Sequence, residues 1–337
     1  MLNFDEGRYL RIQSGAVGLA DRLHTEVARA LEAGAENLFF VGSGGAGILM
    51  EPAVRLLQER STFPVHQVMP AELVVRGSVH LGPRSLVVVP SLSGTTGESI
   101  EALRWCRERG ARVITLTGFA GVPLAEEADA SFVNEAADDT SCESFYLQSL
   151  LVALSLLHLR GEYDDYDDTL AQLTTLPSLL LEAKRGFEPR AAEYAERIQD
   201  EPFHIVTGAG ATWPQAFYYG MCILEEMQWI RTRPVHASDF FHGTLELVEP
   251  GVSLILLKGE DASRPLVERV EKFAPGYTDK VWVLDSADVD LPGVSQDVRA
   301  LVSQVVLAAL LERLSAHLEV LRDHPLTTRR YYKRVAY

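Results

Sequence analysis

One succession of segments occurs twice in this chain, and it narrows the fold more than any other feature. In the first half a strand at 37–41 opens into a glycine turn, Gly42-Ser43-Gly44-Gly45-Ala46-Gly47, and a helix at 48–59. A short strand at 66–68, a strand at 85–89, a helix at 99–109 and a strand at 112–117 follow. In the second half a strand at 203–206 opens into Thr207-Gly208-Ala209-Gly210-Ala211 and a helix at 213–230. A strand at 253–257, a helix at 263–273 and a strand at 280–284 come next. Short apolar strands alternating with helices predict parallel sheets, because a parallel pair needs a crossover and the crossover helices bury both sheet faces. The expected fold class is α/β, built as two tandem sandwiches. The divide is expected within 176–190, giving domains at 1–185 and 186–337. Further helices are read at 14–33, where Leu19, Leu23, Val27 and Leu31 share a face, and at 140–159 and 296–321.

The strand at 85–89 runs into Ser91-Leu92-Ser93-Gly94-Thr95-Thr96-Gly97-Glu98-Ser99 before its helix. Such a loop gathers hydroxyls and backbone N–H groups at a helix N-terminus, where unpaired amides and the helix dipole attract an anion. It lacks the lysine of a P-loop. Its small side chains admit a phosphate closely, so a phosphorylated small molecule is the expected ligand; the plain alternative is an ordinary N-cap cluster. The corresponding strand of the second half ends in Leu257-Lys258-Gly259-Glu260-Asp261, without the hydroxyls. Only the first half is expected to bind an anion in this way.

Bulk properties exclude several classes. Over 337 residues the net charge is −16, which opposes a nucleic-acid partner. Cys106, Cys142 and Cys222 form no CxxC pair, so reduced thiols and no metal framework are expected. The start of the chain has no apolar signal core, and the oily stretch 147–159 carries Gln148, Ser149, Ser155 and His158. That stretch reads as too short and polar to span a bilayer. A soluble, cytoplasmic protein without a membrane partner is the expectation. The run Asp164, Asp165, Asp167, Asp168 reads as a solvated connection or helix start rather than a metal site.

On a tandem α/β frame, the two loops of the first half resemble those of the SIS (sugar isomerase) domain family. That family's phosphate loop has the form Ser-x-Ser-Gly-x-Thr, matched by Ser91, Ser93, Gly94 and Thr96, with Leu92 between the serines. Its first glycine turn corresponds to Gly44-Gly45-Ala46; many relatives carry a hydroxyl near Ala46, so here that contact reduces to backbone N–H. The resemblance implies two SIS domains, each a flavodoxin-like or Rossmann-like doubly wound sandwich. A second stretch, Glu226-Met227-Gln228-Trp229-Ile230 and then Val235-His236-Ala237-Ser238-Asp239-Phe240-Phe241-His242-Gly243, resembles the deglycase branch. So does the tail, His324-Pro325-Leu326 followed by Arg329-Arg330-Tyr331. Members of that branch split 6-phosphorylated fructosamines into glucose 6-phosphate and an amine or amino acid.

The resemblance implies an acid/base pair of Glu226 and the histidine sixteen residues on, His242. It implies that the two meet across a subunit interface, hence a homodimer, and that no cofactor is needed. The related isomerase domain of glucosamine-6-phosphate synthase carries a lysine three residues before the glutamate, where this chain has Ile223. The residues themselves allow two readings of Glu226. Among Tyr219, Cys222, Ile223, Met227 and Ile230 it is either a desolvated carboxyl with a raised pKa, suited to moving protons near neutrality, or a half-exposed rim residue. Glu225 shares its neighbourhood. His236 reads as structural, Lys333 as within reach of a sugar phosphate or hydroxyl, and the tail as a cap or a subunit contact. A phosphosugar aldose–ketose isomerase using the same base, and a sugar-phosphate sensor without turnover, remain as alternatives to the deglycase.

Overall fold

The computed structural model describes every residue except Asp138, Lys333, Ala336 and Tyr337. The chain divides into two compact units, Glu6–Pro177 and Ser178–Tyr337, with Met1–Asp5 belonging to the second.

In the first unit, α1 (Glu6–Val17) and α2 (Ala20–Glu32) precede β1 (Asn37–Val41). Next come α3 (Gly44–Ile48), α4 (Glu51–Arg60), β2 (Val65–Val68), α5 (Pro70–Arg76) and β3 (Ser85–Ser91). The unit continues through α6 (Gly97–Glu108), β4 (Arg112–Thr117), α7 (Pro123–Glu127), β5 (Ala130–Val133) and α8 (Ser141–Leu159). The five strands pair in parallel in the order β2-β1-β3-β4-β5. The chain steps from β1 to β2 on one side, then returns to lay β3 on the other. The switch point of the sheet therefore lies between β1 and β3, where open α/β sheets bind ligands beyond the carboxyl ends of the strands.

Alternation of side chains along these strands splits the core. Phe39, Val41, Val87, Val89 and Val113 point to one face, where Leu103 and Cys106 of α6 and Leu124 of α7 cover them. Helix α8 packs against α1, α2 and α4. It is buried over nearly its whole length, Gln148 and Ser149 included.

Helix α9 (Tyr166–Ile198) runs through the boundary between the units, which falls at Pro177, a residue with no N–H to give the helical ladder. The segment expected to hold the divide is therefore helical. Asp167 and Asp168 lie in its first turn, where carboxylates suit the helix dipole. Among the described residues no group of three or more metal-ligating side chains forms.

The second unit contains β6 (Phe203–Gly208), α10 (Trp213–Tyr218), a π-helical continuation (Tyr219–Glu225) and β7 (Arg231–His236). It closes with α11 (Ala237–Phe240), β8 (Ser253–Lys258), α12 (Arg264–Phe273), β9 (Val281–Asp285) and α13 (Gln296–Leu321). Four parallel strands run in the order β7-β6-β8-β9. Ile255 and Leu257 of β8 face α9, the π-helical segment and α13, whereas Leu254 and Leu256 face α11 and α12. Helices α8 and α13 have the length and apolarity of membrane spans, but 89% of each apolar window is buried inside the structure. They are core helices.

A buried charge network explains why the first five residues join the second unit. The Arg313 side chain is fully buried on α13 and donates to Glu188 of α9 at 2.7 Å and to the Leu2 carbonyl at 2.5 Å. Glu188 also accepts from the Leu2 N–H at 2.7 Å and meets His317 at 3.1 Å. Burial opposes charge on Glu188, but the Arg313 hydrogen bond, the Leu2 N–H and the charges of Arg313 and His317 outweigh it and pull its pKa from 4.5 down to about 2. A carboxylate depressed in this way contributes stability that is complete above pH 4.5 and disappears as the pH falls toward 2. Thermal melts should therefore show an acid-side loss of stability that Glu188→Gln flattens. Arg313→Ala, which strands a buried partner, should cost roughly 3–5 kcal/mol by denaturant unfolding.

Candidate active site

The hydroxyl-rich loop after β3 lies at the switch point of the first unit. Phe40 of β1 is in register with Val88 of β3, so the turns that leave these strands emerge side by side. Gly44, Gly45 and Ala46 form the first turn of α3, with Gly44 exposed at φ +56°. Ser91 is the buried last residue of β3, and its Oγ accepts the Gly94 N–H at 3.1 Å. The Leu92 carbonyl accepts from Gly118 at 3.0 Å and ties the loop to the end of β4. Ser93 Oγ accepts from the Thr95 hydroxyl at 3.1 Å.

Gly94 turns the chain at φ +62°, and a Cβ there would sit 2.2 Å from Val122 Cγ2, so only glycine fits. Thr96 is the N-cap of α6 but makes no side-chain cap bond. The first-turn amides of α6 thus lack the intramolecular oxygen that an N-cap ordinarily supplies.

The second unit has the same switch point, between β6 and β8, but its seat is filled. Gly210 adopts φ +54°, close to the +56° of Gly44. The Asp261 carboxylate, from the loop after β8, accepts the Ala211 N–H at 2.8 Å and the Ser263 N–H at 2.7 Å. A Cβ on Gly210 would meet Asp261 Oδ2 at 2.4 Å. This carboxylate is an anion supplied by the chain itself, the physical counterpart of the missing hydroxyls. Replacing it should expose those amides: Asp261→Ala is expected to lose about 1–3 kcal/mol. Millimolar phosphate should return part of that loss in a thermal melt, whereas an unchanged melting temperature in the variant would contradict the role.

Glu226 follows the π-helical turn. Its N–H bonds to the Met221 carbonyl, five residues back, at 3.1 Å, and the Gln228 N–H bonds to Ile223 at 3.0 Å. Such wide turns are common at functional sites. Gly220 lets this segment pack closely on β7, because a Cβ there would lie 2.6 Å from the Pro234 side chain. The Glu226 side chain is 34% exposed and bonds through Oε1 to Arg329 Nε at 2.8 Å. The side chain is thus the half-exposed rim residue of the second reading, paired with Arg329. Glu225 is exposed and turns to the Thr232 hydroxyl at 2.7 Å. Ile223 packs partly buried against the core.

The segment from His324 to Arg330 clasps this helix end. Gln228 Nε2 donates to the His324 carbonyl at 2.7 Å, the His324 ring meets Trp229 edge-on at 4.4 Å, and Arg330 lies over Trp229 at 3.9 Å. Trp229 has φ +57°, a conformation that costs a bulky residue on the order of 1–3 kcal/mol. Lys333 lies outside the described residues.

His242 is exposed in the turn after α11. Its N–H bonds to the Asp239 carbonyl at 2.9 Å. His236 accepts the Ser238 N–H at 3.2 Å and lies edge-on to Trp213, a structural role. Chain order separates Glu226 from His242. The helix that starts beyond the carboxyl end of β6 returns Glu226 to the amino end of β7, and β7 then carries the chain to His242 past its other end. Six strand residues span about 17–20 Å. Within one unit the two groups therefore stand at opposite ends of β7, and no hydrogen bond or ion pair joins them among the described residues. The sequence reading missed three features: β7 as a strand, the π turn, and Arg329 as the partner of Glu226. The alternation Thr232, Pro234, His236 was a faint signal for the first; nothing in the sequence points to the other two.

A family model described as SIS domain matches residues 33–158. The chain is 30% identical over 304 residues to fructosamine deglycase FrlB of Bacillus subtilis, covering 90% of this chain and 93% of that protein. The chain belongs to the SIS-domain family. It is also 27% identical over 310 residues to fructoselysine 6-phosphate deglycase of Escherichia coli O157:H7, covering 92% of this chain and 89% of that one. A Bacillus subtilis crystal structure described as a candidate phosphosugar isomerase superposes with a TM-score of 0.89 at 29% identity, covering 96% of this chain and 99% of that one. The SIS-domain match spans the β1–α8 frame that carries the anion loop.

Proposed function

We propose that this SIS-domain protein is a deglycase that cleaves a fructosamine 6-phosphate to glucose 6-phosphate and a free amine or amino acid. The observation that carries the reading is the 30% identity to a fructosamine deglycase across nine-tenths of the chain. Ile223, where the synthase-type domain has a lysine, favours a deglycase over a synthase. The substrate phosphate takes the amides and hydroxyls of Ser91 to Thr96 with the Gly44-Gly45-Ala46 turn. Its binding energy orients the reacting carbons.

His242 assists ring opening by passing the anomeric hydroxyl proton to the ring oxygen O5. Glu226 then takes a proton from C1, and the C1–H electrons form a C1–C2 double bond as the C2 carbonyl oxygen takes a proton from water to become a hydroxyl. Return of a proton to C2 leaves an imine at C1, and water adds to that imine to release the amine. These steps are proton transfers and one hydrolysis, and need no electron carrier.

The separation along β7 gives the subunit question physical content. We infer that Glu226 of one copy works with His242 of another in a homodimer. Incubation with fructosamine 6-phosphates should release glucose 6-phosphate and amine together. Interconversion of unsubstituted sugar phosphates alone would make the protein an isomerase, and binding without turnover a sensor. Glu226→Gln should lower kcat by about 10²–10⁴ while sparing phosphosugar binding. Refolded mixtures of Glu226→Gln and His242→Gln, each inactive alone, should regain activity, because one site per mixed dimer keeps both groups. No recovery would place the pair within one chain.

A further inference from the structure

We propose that Arg329, in the C-terminal tail, is a positioning residue for Glu226, fixing the direction of its carboxylate and keeping it ionised to accept the C1 proton; this rests on the reading of Glu226 as the base. A glutamate side chain one-third exposed at a helix end samples several rotamers, and each misdirected rotamer is lost to proton transfer. The guanidinium that meets it is itself held. Arg329 is 11% exposed, and its Nη1 donates to the Leu326 carbonyl at 2.6 Å and to the Thr328 carbonyl at 3.0 Å while Nε donates to Glu226. The tail is anchored in turn. The Leu326 N–H reaches Glu319 of α13 at 3.0 Å, and Gln228 and Trp229 grip His324 and Arg330. A continuous set of bonds therefore runs from α13 through the tail to the carboxylate.

Among the described residues, the other titratable groups near Glu226 are engaged elsewhere. Cys222, on the same helix, is pushed up to about 12 by burial first, then by Glu226 and Glu225 against Arg329, and stays a neutral thiol. Glu225 is turned away to Thr232. His324 and Arg330 are engaged with Trp229. Arg329 pairs with the carboxylate at 2.8 Å. A carboxylate that must be charged before it can take a proton gains from such a neighbour, which extends its ionised range to lower pH.

The test uses the full-length protein and two readouts. The first is kcat/KM against pH with a fructosamine 6-phosphate. The second is a ¹³C titration of the Glu226 carboxyl in glutamate-labelled protein, its signal assigned by its loss in Glu226→Gln. Arg329→Gln is expected to raise the acid limb and the carboxyl titration together by about one pH unit, and to lower kcat with little change in KM. Arg329→Lys should keep the titration near the wild-type position yet recover only part of kcat, because it retains the charge without the planar fork. Thermal melts confirm folding of each variant, and Arg329→Lys serves if Arg329→Gln does not fold. An unchanged carboxyl titration in Arg329→Gln, or full kcat in Arg329→Lys with a displaced titration, overturns the role of Arg329 alone. Full activity in Glu226→Gln overturns the base assignment and the positioning role with it.

Discussion

A parallel sheet cannot be drawn without crossovers, and that constraint governs everything else in this protein. Each strand must start at the same edge, so every helix carries the chain back from the carboxyl edge to the amino edge. Loops with free amides collect at the carboxyl edge, and helix ends collect at the amino edge. The hydroxyl loop after β3 belongs to the first class. Glu226, at the end of the π-helical return before β7, belongs to the second. His242, past the far end of β7, belongs again to the first. The candidate acid and base are thus assigned to opposite edges of one sheet by topology, before any side chain is considered.

The same constraint gives two switch points, and the two units treat them differently. In the first unit Thr96 leaves α6 without a side-chain cap, and the hydroxyls of Ser91 and Ser93 bond within their own loop, to Gly94 and Thr95. In the second unit Asp261 supplies both oxygens to the amides of Ala211 and Ser263. A backbone that can bind an anion either receives one from solution or is built around one. An unfilled seat in the second unit would leave amides exposed with no function to compensate, and the carboxylate removes that cost.

Much of the architecture was readable in the residues. The strands at 37–41 and 112–117 and the helix at 296–321 have the expected limits, since burial on both faces or a long apolar period leaves few alternatives. The helix expected at 14–33 is instead two, α1 and α2, broken at Gly18-Leu19. The Asp-rich run at 164–168 was read as a solvated connection or helix start, and it opens α9; the helix's full length, to Ile198, was not read because its charged exposed face and internal Pro177 mask the period. Short β7, with Arg231, Thr232, Arg233 and Pro234, reads as a loop in isolation and becomes a strand only by pairing with β6.

The sequence by itself determined the α/β class, the duplicated order of segments and the hydroxyl-rich loop before α6, because each depends on neighbours in the chain: alternation, helical period and the hydroxyls that precede a helix. Only the tertiary structure decided that Asp261 closes the second seat, that Glu226 meets Arg329 across more than a hundred residues, and that His242 stands at the other end of β7. Those are distances between parts of the chain far apart in order. They are set by how strands pair and where crossovers return, and no local pattern of residues carries that information.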